Sequence, residues 1–185
     1  MPRRPHLRTA ALSAVPLLCV TLLASGCGYA LVGRASNLPD DVRAVYVQPL
    51  DNRTARSQVD QFLTRSIADE LVTRQRFQVL SSPSGSDATI SGAVTGFSVT
   101  PVAFDDQGRA TEYEIVIRAA MEFRRAPQGG EEEGRVLWSN SSYLFRQNYP
   151  LDLSDLEYFD REDLALQEAA KSFAETMVSD LLEGF

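Results

Sequence analysis

The stretch "EYEIVIRAAMEFR", residues 112–124, decides the fold. Tyr113, Ile115, Ile117, Ala119, Met121 and Phe123 all occupy odd positions. Glu112, Glu114, Arg118, Glu122 and Arg124 take even ones, with Val116 and Ala120 among them. A period of two is strand geometry, because successive side chains point to opposite faces. One dry face and one largely wet face describe an antiparallel sheet covered on a single side.

The flanks extend this strand into a meander. "FDDQGRA" (104–110) is turn composition, and residues 88 to about 102 before it are extended. Ala88, Ile90 and Val94 share one face there, whereas Phe97 and Val99 have the opposite parity. Gly96 lies between the two groups and predicts a bulge or kink. On the other side, "APQGGEEEG" (126–134) closes a hairpin, and "RVLWSNSSYLFRQ" (135–147) is the answering strand. Residues 148–160 read as an acidic, aromatic linker. Asp160 is the expected cap of a final helix whose apolar stripe is Leu166, Ala170, Phe173, Met177 and Leu181.

Nearer the N-terminus, "VRAVYVQPL" (42–50) carries apolar residues on both faces, as an interior strand does, and Pro49 ends it. Val59, Phe62, Leu63, Ile67, Leu71 and Val72 recur at helical spacing. Ser57 with Asp60 predicts a capping box, with Thr54 as a rival cap. Phe77–Leu80 is a short strand, followed by the loop "SSPSGSD". The order β-α-β-β-β-β-α predicts an α+β two-layer sandwich. A mixed, mostly antiparallel sheet of four to five strands carries two helices on one face. The first β-α-β unit predicts a right-handed parallel crossover.

The first 26 residues stand apart from this domain. Arg3, Arg4 and Arg8 precede an uncharged stretch, residues 10–23, interrupted by Pro16. That is shorter than the roughly 20 residues of a membrane-spanning helix, and fits a secretory signal peptide better than an anchor. Ala24-Ser25-Gly26-Cys27 resembles the lipobox of bacterial lipoproteins, with Ala24 where leucine is usual and Leu23 one step earlier. The resemblance implies cleavage before Cys27, a diacylglyceryl thioether and an N-acyl chain such as palmitate on it, and no other cofactor. Gly28 in the next position implies sorting to the outer membrane. The expected organisation is signal peptide 1–26, lipidated N-terminus and tether 27–41, and one globular domain 42–185.

Cleavage there changes the available chemistry. His6, the only histidine, is removed together with Cys19, and the net charge moves from −7 to −10. One remaining cysteine forms no internal disulfide. Without histidine or a free thiol, catalytic triads and His/Cys zinc sites are ruled out. No phosphate-cradling glycine motif or nucleophile elbow occurs. The acidic balance excludes a basic nucleic-acid footprint. Asp152, Asp155, Glu157, Asp160, Glu162 and Asp163 cluster, but without the glycine and alternating ligands of a calcium loop. They read as a solvated linker and helix start. The chain is expected to bind something, with no catalytic residue and no metal.

Several stretches together resemble the LptE family of lipopolysaccharide-assembly lipoproteins. They are "CGYALVG" (27–33), "LPDDVRAVYVQPLDNRT" (38–54), "ATISGAVTGFSVTPVAFDDQGRATEYEIVIRAAMEF" (88–123), "GRVLWSN" (134–140) and the C-terminal helix. Cys27-Gly28-Tyr29 and the Gly108–Tyr113 turn into a strand are the most specific. The resemblance implies a lipid-anchored protein at the periplasmic face of the outer membrane. It would plug the barrel LptD, assist its assembly and aid lipopolysaccharide insertion. Tyr149, Tyr158 and Phe159 are the aromatic candidates for the partner contact. Arg109, Arg118 and Arg146 are the cations available to lipopolysaccharide, unless they pair with Glu112, Glu114 or Glu122. A lipoprotein binding another periplasmic ligand or envelope component is the alternative from a different class.

Cys27→Ser is expected to abolish acylation and processing. Intact mass should show the uncleaved precursor, and membrane fractionation should show no lipidated mature form.

Overall fold

The structure, a computed structural model, describes residues 38–150 and 158–183, the side chains of 158–162 excepted. Cys27, the expected signal peptide and most of the expected tether lie outside the described residues. In chain order the elements are β1 (Ala44–Val47), β2 (Asp51–Asn52), α1 (Val59–Thr73), β3 (Gln78–Leu80), β4 (Ala88–Phe104), β5 (Ala110–Arg125), β6 (Val136–Pro150) and α2 (Tyr158–Glu183).

One mixed sheet runs in the order β3-β1-β4-β5-β6. β1 is interior and parallel to both neighbours, as its two apolar faces require. The three long strands pair antiparallel through successive hairpins. The sheet has six strands where four to five were expected, and the extra one has a local cause. Pro49 interrupts the first strand, and the chain then resumes pairing as β2, with Asp51 beside Ala93 and Asn52 beside Val94. Gly96 marks the expected bulge, with the β4–β5 register shifting between Val94 and Gly96.

The core is apolar, and no polar or charged residue is buried among the described residues. Ile115, Ile117, Ala119, Met121 and Phe123 form its floor, as the period of two requires. Val59, Leu63, Ile67 and Leu71 of α1 join Leu166, Ala170, Phe173, Met177 and Leu181 of α2 above it. Leu38, within the stretch read as tether, is buried in the same core. Edge-on aromatic contacts tie the layers: Phe173 meets Tyr143 at 5.4 Å and Phe145 at 5.8 Å between ring centroids. Tyr143 also donates a 2.6 Å hydrogen bond to Asp180 Oδ2 of α2. Burial, reinforced by that carboxylate, pushes the phenol pKa well above its ordinary value.

Four local expectations are corrected. Val72 is 57% exposed, because the buried positions of α1 recur every fourth residue and Val72 sits about 100° away from Leu71. Neither Ser57 nor Thr54 caps α1. Gln58 does so with a left-handed backbone (φ 66°) and no side-chain cap bond. Asp60 is engaged elsewhere: its Oδ1 accepts from Asn52 Nδ2 at 3.1 Å, and Asn52 Oδ1 accepts the Thr54 N–H at 2.9 Å. The linker expected from residue 148 begins later, because β6 continues to Pro150, with Tyr149 paired to Tyr113 and Pro150 to Glu112. The last helix starts at Tyr158, ahead of the expected Asp160 cap, whose side chain lies outside the described set.

Phe173→Ala is expected to cost about 3–5 kcal/mol, as for a fully buried aromatic, whereas Val72→Ala should stay within about 0.5 kcal/mol. Urea denaturation of the two variants checks both values.

Candidate interaction face

Two helices cover one side of the sheet, which leaves the even-numbered side of β5 to solvent. Register fixes the neighbours on that outer face. Arg118 lies between Gly96 and Leu144, Val116 between Ser98 and Arg146, and Glu114 between Thr100 and Asn148. Farther along, Glu122 lies between Ser91 and Ser139, and Arg124 between Thr89 and Val136. The floor is made largely of small residues. An open depression of about 530 Å3 runs over Ser91, Ala93, Ala120 and Ser139, rimmed by Asp51 and Glu122.

Most charges on this face are neutralised locally. Arg146 Nη1 stands 3.5 Å from Glu114 Oε1, and Arg124 Nε 2.6 Å from Glu122 Oε1. That contact, with Glu133 beyond it, raises the Arg124 pKa. Glu112 Oε1 accepts a 2.9 Å hydrogen bond from Asn148 Nδ2. Arg118 differs. It is exposed, opposite the 45% exposed Leu144, and forms no hydrogen bond or ion pair with the described residues. Its alkyl stem lies along the slot left by Gly96. A β-carbon added at Gly96 would stand 3.4 Å from Arg118 Cβ and 3.6 Å from Cδ.

The three arginines offered by the sequence therefore divide. Arg118 and Arg146 are diagonal neighbours on β5 and β6. Arg109 lies at the far β4–β5 turn, roughly 30 Å along the strand from Arg118 at about 3.3 Å per residue. Its Nε is 2.7 Å from Asp105 Oδ2, a partner outside the glutamates expected for it. The N–H groups of Arg109 and Gln107, with that guanidinium, hold the Asp105 carboxyl below its ordinary pKa.

The aromatic candidates divide too. Tyr149 stacks on Tyr113, with ring centroids 5.8 Å apart and planes at 21°, so it belongs to a strand and is half-buried. Tyr158 and Phe159 open α2, and their side chains lie outside the described residues. Exposed Val102 and Phe104, together with Tyr113, lie at this end of the ribbon and are not among the contact candidates the sequence offered. The alternation of β5 carried the signal for Tyr113, and the register of β6 was needed to find its partner.

Asp152, Asp155 and Glu157 of the acidic cluster fall outside the described residues, as do the side chains of Asp160 and Glu162. Asp163 is engaged by Arg56 Nη2 at 2.8 Å. No grouping of His, Cys, Asp or Glu suited to a metal occurs among the described residues. No helix among them is long and apolar enough to cross a membrane.

A corner bracket fixes the sheet beneath this face. Asp87 Oδ2 accepts the N–H groups of Ala44 at 2.7 Å and Arg43 at 2.9 Å, joining the start of β4 to β1. Those two bonds, helped by the Arg125 and Arg43 charges, lower the Asp87 pKa.

Residues 42–181 match the family model LptE, described as "Lipopolysaccharide-assembly". No curated protein matches the chain. Among solved structures, the chain is similar to rare lipoprotein B from Shewanella oneidensis, at 14% identity and a TM-score of 0.45 over 74% of this chain and 92% of that one. It is similar to lipoprotein B from Nitrosomonas europaea, at 19% identity and 0.44 over 85% and 89%. It is also similar to the PelC dodecamer from Paraburkholderia phytofirmans, at 16% identity and 0.48 over 79% and 91%. Likeness at this level carries no argument about what the chain does.

Because the folded-state pKa of Asp87 is depressed, its stabilisation is complete above the ordinary carboxylate range and is lost as pH falls through the lowered value. Asp87→Asn is expected to destabilise the domain by about 1–2 kcal/mol at pH 7. The gap from wild type should narrow on acidification, as read by urea midpoints between pH 7 and pH 3.

Proposed function

The chain belongs to the LptE lipopolysaccharide-assembly family, and on that premise we propose that it is a non-catalytic outer-membrane lipoprotein that plugs the LptD barrel. In this reading it is acylated at Cys27, stands at the periplasmic face, assists assembly of the barrel and aids placement of lipopolysaccharide in the outer leaflet. The observation that carries the reading is the extent of the family match, which runs from the residues before β1 into the last turns of α2.

The physical features support the same reading. Each methylene of an acyl chain buried in the bilayer contributes about 0.8 kcal/mol, so several chains on one cysteine give a lasting anchor. Anchoring confines the domain to one leaflet and raises its effective concentration near a barrel mouth. The lumen of an outer-membrane barrel is polar. A sheet face with paired surface charges and a floor of small residues suits such a wall better than lipid. Tyr149 at the end of the ribbon, with Tyr158 and Phe159 at the start of α2, supplies the aromatic groups that interfaces favour.

Purification of the lipidated protein from membranes in mild detergent tests the reading. The expected result is co-purification of the barrel in stoichiometric amount, together with defective barrel biogenesis when the gene is deleted. A lone monomer with normal biogenesis would overturn it in favour of a lipoprotein serving another periplasmic ligand or envelope component.

A further inference from the structure

We propose that Arg118 is the anchor by which the outer sheet face docks on a protein wall, through a carboxylate of the partner. The inference rests on the plug reading and goes beyond it by naming the face, the residue and the chemistry received.

Four arginines lie in β5 and β6: Arg118, Arg124, Arg125 and Arg146. Arg124 pairs with Glu122, Arg125 with Asp41 and Arg146 with Glu114. Arg118 alone among these four has no such partner within the described residues. Its stem is aligned along the Gly96 slot. Ordering this side chain on binding therefore costs less entropy than ordering a free one. Leu144 and Val116 beside it supply apolar surface that excludes water from a new ion pair. An arginine ringed by such contacts has the make-up of an interface hot spot.

The same surroundings favour a carboxylate over a phosphorylated lipid. A phosphate cluster needs several open cations, and the nearest one, Arg146, is already tied to Glu114. Glu112, Glu114 and Glu122 share the face, and the whole chain carries a net charge of −7. A single carboxylate on an otherwise polar wall meets Arg118 without bringing further negative charge against these glutamates. The planar guanidinium fork matches its two oxygens.

The test uses the full-length lipidated protein co-expressed with the barrel. Arg118→Glu is expected to lower co-purification at least about tenfold, as loss of a hot-spot contact does. Arg118→Gln should give an intermediate loss and Arg118→Lys a smaller one, with far-UV circular dichroism unchanged in all three. A photo-crosslinking amino acid replacing Leu144 should label the barrel polypeptide near an Asp or Glu. Reversing that carboxylate to Arg should restore binding to Arg118→Glu. Undiminished capture of the barrel by Arg118→Glu overturns the inference and leaves the plug reading standing. Labelling of lipopolysaccharide in place of protein also overturns it. Failure of the wild-type protein to capture the barrel overturns both.

Discussion

Phe173 ties the helix layer to the sheet. Its ring is fully buried and meets Tyr143 and Phe145 edge-on. That contact sets which side of the sheet is dry, because Tyr143 and Phe145 share the side of Ala119 and Ile117 across the β5–β6 ladder. Once that side is dry, the period of two sends Glu114, Arg118 and Glu122 outward. The character of the outer face therefore follows from where α2 sits, and the hydrogen bond from Tyr143 to Asp180 keeps α2 in that place. The buried hydroxyl loses no hydrogen bond in leaving water, which is the condition for placing a tyrosine there.

How much of this the sequence carries differs from element to element. β5 and α2 are legible because each repeats one period over more than ten residues, so a single exception does not obscure the pattern. The β4 bulge is legible because a change of parity coincides with a glycine. The start of α1 is not. Ser57 and Asp60 satisfy a local rule, but Asn52, eight residues before Asp60, takes the carboxylate first. The last three residues of β6 are not legible either. Tyr149 gains a reason to be in a strand from Tyr113, thirty-six positions away. Proline at the end of an edge strand then costs little.

The candidate face shows the same division. Charge composition identifies Arg109, Arg118 and Arg146 as cations near strands, and nothing in composition separates them. Register does so, placing Arg146 within reach of Glu114, Arg109 in a turn beside Asp105 and Arg118 over a glycine. An isolated surface ion pair contributes little to stability. Its effect here is to remove Arg146 from the set of groups free to meet a partner. The sequence supplies the candidates, and the ladder decides which of them stays available.

The helix-to-helix contacts also impose an order in time. Arg56 reaches Asp163, 107 positions later, and Arg74 reaches Ser179, 105 positions later. α1 therefore waits for almost the whole chain before its second neighbour exists. Contacts of such long sequence separation form slowly, because closing the intervening chain costs entropy before any reward is gained. For a polypeptide made N-terminus first, the apolar side of β4, β5 and β6 stays open until the final helix has emerged. Apolar surface left open in this way is prone to aggregate until the helix docks. A lesion that removes only the last two turns of α2 would strip Met177, Val178 and Leu181 from the core and leave the chain in that unfinished state.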